Sequence, residues 1–205
     1  MPPTGRTSRA APNETAEQAR KKALKSMPKR TSMRGSRGAP VRTSGRAPKQ
    51  GPKINMLVES ALWKRQADIK SVVRRAIAAA AALLSTPSVE LAIVLTDDSA
   101  IRLLNREWRG VDAATNVLSF PASCTAGDVP LIGDIVLAYE TIDAEARAER
   151  NRFAHHVAHL AVHGFLHLLG YDHVRDKDAE AMQRTERNVL RRLAIRDPYQ
   201  RPAKA

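Results

Sequence analysis

Residues 163–173 read HGFLHLLGYDH and set His163, His167 and His173 at the spacing H-x3-H-x5-H. Two histidines four residues apart on a helix lie one turn apart on the same face. Gly170 follows, and glycine tolerates the left-handed backbone with which helices commonly end. The turn it permits can bring His173 back over that face. Three imidazoles converging from one side leave the other side of a metal ion open. That is the geometry of a catalytic zinc, since a structural zinc is usually closed by four side chains.

A lone histidine on an apolar helix face is ordinarily a packed core residue. Three at this spacing, with a glycine between the second and third, point to a metal instead. The pattern matches the outline H-E-x-x-H-x-x-G-x-x-H of a group of zinc proteases, except that Gly164 stands where their glutamate would be. That glutamate is their general base, so peptide cleavage loses its usual proton acceptor here. His159 and His155 continue the four-residue series backwards, each step turning about 40° around the helix. His159 therefore lies beside the ligand face, either supporting a ligand or simply packed. His155 lies further round, and His156 points elsewhere. Asp172 either orients a ligand imidazole through its free N–H or stabilises the turn.

The elements that must hold these groups follow from periodicity and punctuation. Ile54–Leu62 reads as a strand and Trp63–Ser85 as a helix, with Ile69, Val72, Val73, Ile77 and Leu84 at helical spacing and Pro87 barring its continuation. Val89–Leu95 is an apolar strand. Asp97, Asp98 and Ser99 offer caps for a helix over Ala100–Trp108, which Gly110 closes. Val117–Phe120 and Leu131–Tyr139 read as strands, separated by a polar loop containing Gly127 and Pro130. Helices follow over Ala144–Arg150, Phe153–Leu169 and Asp176–Leu193. The order β-α-β-α-β-β and then helices predicts an α+β domain, a small mixed four-stranded sheet packed with helices.

The net charge of +13 is unevenly spread: residues 1–52 carry 13 Lys and Arg against 2 acids, and the remaining residues carry 21 against 19. The first segment is rich in Pro, Gly, Ser and Arg and has no aromatic residue, so it cannot bury enough surface to offset the entropy of ordering. Residues 1–53 are expected to be a disordered basic extension, 54–195 the folded domain, and 196–205 a short tail. The extension fits a nucleic-acid-binding arm, an organelle transit segment, or an extension without function, with Met56 as the true start. The one cysteine, Cys124, excludes an intrachain disulfide and fits a reducing compartment. No apolar run approaches the roughly 20 residues that span a bilayer, and the first thirty residues lack the apolar segment of a secretion signal. A cytoplasmic protein without a membrane partner is expected.

HGFLHLLGYDH resembles the signature of the YbeY family, bacterial endoribonucleases of rRNA maturation and ribosome quality control. The resemblance extends to LNREWRG (Leu104–Gly110), TNVLSFP (Thr115–Pro121) and GDIVLA (Gly133–Ala138), and covers roughly residues 54–195. It implies a zincin-like fold with one zinc per chain on His163, His167 and His173. It also implies that Arg109 is a catalytic residue beside the metal; by itself Arg109 would read as a cation complementing a helix end. Asn116, Ser119 and Asp134 either line the cleft or serve the strand edges.

The activity so implied is zinc-dependent cleavage of single-stranded RNA, in 3′-end maturation of 16S rRNA and in ribosome quality control. The partners would be rRNA, the small ribosomal subunit and its associated factors; the oligomeric state stays open. Three neutral imidazoles can lower the pKa of zinc-bound water to about 7. Either that water or the RNA's own 2′-hydroxyl would attack, with Arg109 stabilising charge on the phosphate. Two other readings stand beside this one: a ribosome assembly factor with a structural zinc and no activity, and a metallopeptidase-like hydrolase.

Overall fold

The computed structural model describes residues 51–122 and 129–200. The expected disorder of the N-terminal extension, the position of Gly127 and that of Cys124 lie outside the described residues. Four strands, β1 (Lys53–Val58), β2 (Glu90–Thr96), β3 (Val117–Pro121) and β4 (Leu131–Ala138), form one sheet in the order β1-β2-β4-β3. β1, β2 and β4 run parallel, and β3 is antiparallel to β4. Five α-helices accompany them: α1 (Ile69–Leu84), α2 (Asp98–Arg109), α3 (Tyr139–Ala148), α4 (Phe153–Leu168) and α5 (Asp176–Arg192). The mixed four-stranded α+β architecture is the one the sequence predicts.

The larger core fills one face of the sheet. Leu91, Ile93 and Leu95 of β2 and Ile135 and Leu137 of β4 meet α1 and α4 there. Helix α1 turns Ile69, Val73, Ala76, Ile77, Ala80 and Ala81 inward at helical spacing. Helix α4 touches α1, α3, α5, β3 and β4, and most of its length is buried. Its Phe165 and Leu166 are fully buried, each worth about 2–3 kcal/mol of transfer free energy. The other face carries a smaller core of Ile101, Leu118, Val136 and Ala138 beneath α2.

Two boundaries differ from expectation. β1 ends at Val58, where Leu95 O draws in the backbone N–H groups of Glu59 and Ser60. A single 3-10 turn (Ala61–Arg65) then buries Trp63, whose Nε1 donates to Thr96 O at 2.7 Å, and α1 starts only at Ile69. Helix α3 begins at Tyr139, five residues ahead of Ala144. Its cap comes from a distant residue: Asp98 Oδ1 accepts from Thr141 N at 3.0 Å and from Thr141 Oγ1 at 2.9 Å.

Candidate functional site

The larger core seats α4 against β3 and β4, the smaller core seats α2, and the last residue of α2 and the C-terminal half of α4 border one cleft. Helix α4 stops after His167 and Leu168, and Gly170 follows with φ 89°. The N–H of Gly170 bonds to His167 O and that of Tyr171 to Leu166 O, both at 3.0 Å, which closes the last turn. His173 then returns over the helix end. One ring nitrogen from each of His163, His167 and His173 lies within 4.8 Å of the other two. The spacing in the sequence thus becomes a convergent trio in space.

The outer nitrogens fix the inner ones. His167 Nδ1 lies 3.0 Å from Tyr171 O, and a carbonyl has no proton to give, so Nδ1 carries the hydrogen. His163 Nδ1 lies 2.8 Å from Glu186 Oε1, a carboxylate that accepts likewise. In the neutral rings both Nε2 atoms are therefore lone pairs, and they face each other at 3.1 Å. Two lone pairs at that distance repel unless a cation lies between them. Nitrogens bound to one tetrahedral ion at about 2.0–2.1 Å stand about 3.3 Å apart, so the donor set fits a divalent ion. Burial first, and then the neighbouring His163, lower the pKa of His167, which favours the neutral form a metal requires.

Glu186, which sequence reasoning misses, is almost fully buried, with 1% of its side chain exposed. Burial by itself pushes its carboxyl up, but the imidazoles of His159 and His163 and the Tyr199 hydroxyl bring it down to about 2. Its signal was available: α5 buries Met182, Glu186, Val189 and Leu190, one acid in an otherwise apolar stripe. His159 packs beside this acid, its Nε2 3.6 Å from Glu186 Oε2 and its ring centroid 6.5 Å from that of His163. His156 turns instead to Glu145 at 2.8 Å.

A cleft of about 590 Å³ opens onto the trio and is also lined by Arg109, Asn116, Ser119 and Asp172. Arg109 is the last residue of α2, and Gly110 behind it closes the helix at φ 74°. The loop leading back to β3 is held by Asn105 Nδ2 donating to Ala113 O at 2.8 Å and by a two-point pair between Arg102 and Asp112. Asn116 serves both roles left open for it. It borders the cleft, and its side chain is fixed by Glu145 (2.9 Å) and by Val117 N (2.7 Å). Ser119 faces α4, and its Oγ lies 3.0 Å from where a Cβ on Gly164 would stand. Asp172 stabilises the turn, accepting from His173 N at 2.7 Å. Asp134 pairs with Ala92 and Phe120 and, one residue from the inward Ile135, points to the opposite face of the sheet. Burial raises its pKa there.

The arrangement can hold a cation beside an arginine at an open cleft, which suits an anionic substrate. A family model described as endoribonuclease YbeY matches residues 57–194. A protein of that description from Nitrobacter winogradskyi is 51% identical over 159 residues, covering 74% of this chain and 84% of its own. Similar proteins from Rhodopseudomonas palustris and Bradyrhizobium diazoefficiens are 48% and 49% identical, each over 72% of this chain, and cover 92% and 85% of their own lengths. With a match of this extent over the residues that build the cleft, the chain belongs to the endoribonuclease YbeY family.

Proposed function

We propose that the chain is a zinc-dependent endoribonuclease that cuts single-stranded RNA, with one zinc on His163, His167 and His173 and with Arg109 as its catalytic residue. The observation that carries the reading is the convergence of three imidazole nitrogens within 4.8 Å at a cleft that Arg109 also lines. When bound, the ion supplies Lewis-acid polarisation of a phosphodiester. The planar guanidinium of Arg109, exposed at the end of α2, binds phosphate oxygens in pairs and stabilises the charge that grows on them. Glu186 and Tyr171 O hold the first two imidazoles in the tautomer that directs Nε2 at the cleft. Asn116 and Ser119 offer polar contacts to the sugar–phosphate chain.

The biological setting proposed is maturation of the 3′ end of 16S rRNA and ribosome quality control, on the small subunit and in the cytoplasm. No helix among the described residues is long and apolar enough to cross a membrane. A peptidase is disfavoured because Gly164 replaces the general base and a side chain there would press on Ile135 and Ser119. A purely structural zinc is disfavoured because the trio faces an open cleft.

The test is metal analysis of the purified protein together with cleavage of single-stranded rRNA fragments. The as-purified protein should contain about one zinc per chain and cut RNA. Chelation or His163→Ala should abolish cutting, and Arg109→Ala should slow it by about 10²–10³-fold with the metal retained. Full activity in metal-free protein would reject the proposal.

A further inference from the structure

Beyond α5 the chain doubles back. Ala194 takes φ 56°, and its N–H and that of Ile195 return to Arg191 O and Leu190 O, reversing the chain at the helix end. Asp197 Oδ1 then accepts from Tyr199 N at 2.9 Å across Pro198, a side-chain turn with one backbone torsion already fixed by the proline. The turn lays the Tyr199 ring edge-on against His159 at 5.8 Å, with the Arg187 guanidinium 5.6 Å from its centroid. The Tyr199 hydroxyl donates to Glu186 Oε2. The other oxygen of Glu186 receives His163 Nδ1. The buried carboxylate therefore has one donor per oxygen, and the two donors are a histidine of the trio and a residue from the very end of the described chain.

We propose that residues 197–199 form a C-terminal clamp in which the Tyr199 hydroxyl positions Glu186, and through it His163, for metal binding. The clamp rests on the metal reading above and makes Tyr199 a positioning residue. The physical case is one of satisfaction. A buried carboxylate oxygen with no donor is costly, and the His159 Nε2 beside Oε2 stands at 3.6 Å, beyond hydrogen-bond distance. Without the hydroxyl, Glu186 is free to rotate towards His159 or towards water, and the His163 ring loses its fixed partner. Outer partners of this kind typically contribute 10–100-fold to metal affinity. The segment expected to be a tail would then be part of the site.

The experiment uses the full chain and zinc alone. The zinc dissociation constant is measured by competition with a chromophoric chelator for wild type, Tyr199→Phe and Tyr199→Ala. The His163 tautomer is followed by nitrogen-15 NMR, and unfolding of the metal-free proteins is recorded alongside. Phe keeps the ring against His159 and Arg187 and removes only the hydroxyl. Both variants should bind zinc about tenfold or more weakly, with the His163 Nδ1–H signal broadened or lost while the proteins remain folded. If Phe matches wild type and only Ala weakens, the ring packs but the hydroxyl positions nothing, and the proposal is overturned. It is equally overturned if both variants match wild type. Should wild type itself bind no zinc, the metal reading fails first, and that result is distinguishable because it appears before any variant is compared.

Discussion

At Gly164 a Cβ would stand 2.9 Å from Ile135 Cγ2 and 3.0 Å from Ser119 Oγ. Ile135 is fully buried and its γ-methyl is anchored at a branch point, so it cannot swing aside. A side chain here requires α4 to move off the sheet. Gly164→Ala should therefore destabilise the fold by about 1–2 kcal/mol, the overpacking cost of 1–3 kcal/mol being offset by under about 1 kcal/mol of improved helix propensity. Denaturant unfolding measures it, and an alanine variant as stable as wild type would show that the contact yields. Gly164→Glu should give no stably folded protein, so the protease-type base cannot be installed by that single change. The histidine trio was legible in the sequence because all three rings come from one helix end and its turn. Arg109 gained its role only through family resemblance, since nothing local ties the end of α2 to His163. Glu186 shows in the sequence only as an acid within the apolar stripe of α5, and Tyr199 not at all, because the contact of Glu186 with His163 is made by α5 packing across α4 and that of Tyr199 with Glu186 by the reversal after it.

Helices α2 and α3 start side by side at one end of the sheet and cap each other. Asp98 accepts from the backbone and hydroxyl of Thr141, while Glu140 Oε2 accepts from Asp98 N at 3.0 Å. Asp97 separately caps α2 through Ala100 N at 3.0 Å. Removing the Asp98 carboxylate takes the cap from α3 and loosens the seat of the helix that carries Arg109. Asp98→Ala should cost about 1–2 kcal/mol in denaturant unfolding and leave the zinc constant unchanged, because the trio hangs from α4. A loss of zinc affinity of the same size would mean that α2 and α4 are coupled more tightly than their contacts imply. This exchange also explains which elements could be read in advance. α2 carries its own N-cap and closing glycine, and α4 its own apolar run and Gly170, so both were found close to their true ends. The start of α3 depends on Asp98, 43 residues from Thr141 in sequence, and the end of β1 depends on Leu95 O. No local pattern carries either boundary. The assignment of Asp134 to the far face likewise needed the register of β4 against β2 and β3.

The molecule's charge and its aromatic residues together decide how it would hold RNA. Of its aromatic side chains, Trp63, Tyr139 and Phe153 pack on one another, Trp108 packs on Phe120, Phe165 is fully buried and Tyr199 is engaged with Glu186. Tyr171 is left in the wall of the cleft. Base stacking, worth about 1–3 kcal/mol per base where aromatic platforms exist, therefore contributes little, and phosphate contacts must supply most of the affinity. Residues 1–52 carry 13 cationic side chains against 2 acids, while the remainder is nearly balanced at 21 against 19. Met56 pairs with Ile93 in mid-strand, so a chain begun there would lack the first half of β1; a start at Gly51 keeps the strand whole. If about six phosphates are neutralised, the logarithmic salt slope for single-stranded RNA is about −4, and affinity should fall about 250-fold between roughly 50 and 200 mM salt. Fluorescence anisotropy with a labelled single-stranded RNA measures this. An affinity that stays level over that range would contradict binding through phosphates. The same titration on a chain starting at Gly51 separates the readings of the basic extension. As a nucleic-acid arm, its loss should flatten the slope by about 0.7 for each phosphate contact removed. As an extension without a part in binding, its loss should leave slope and affinity where they were.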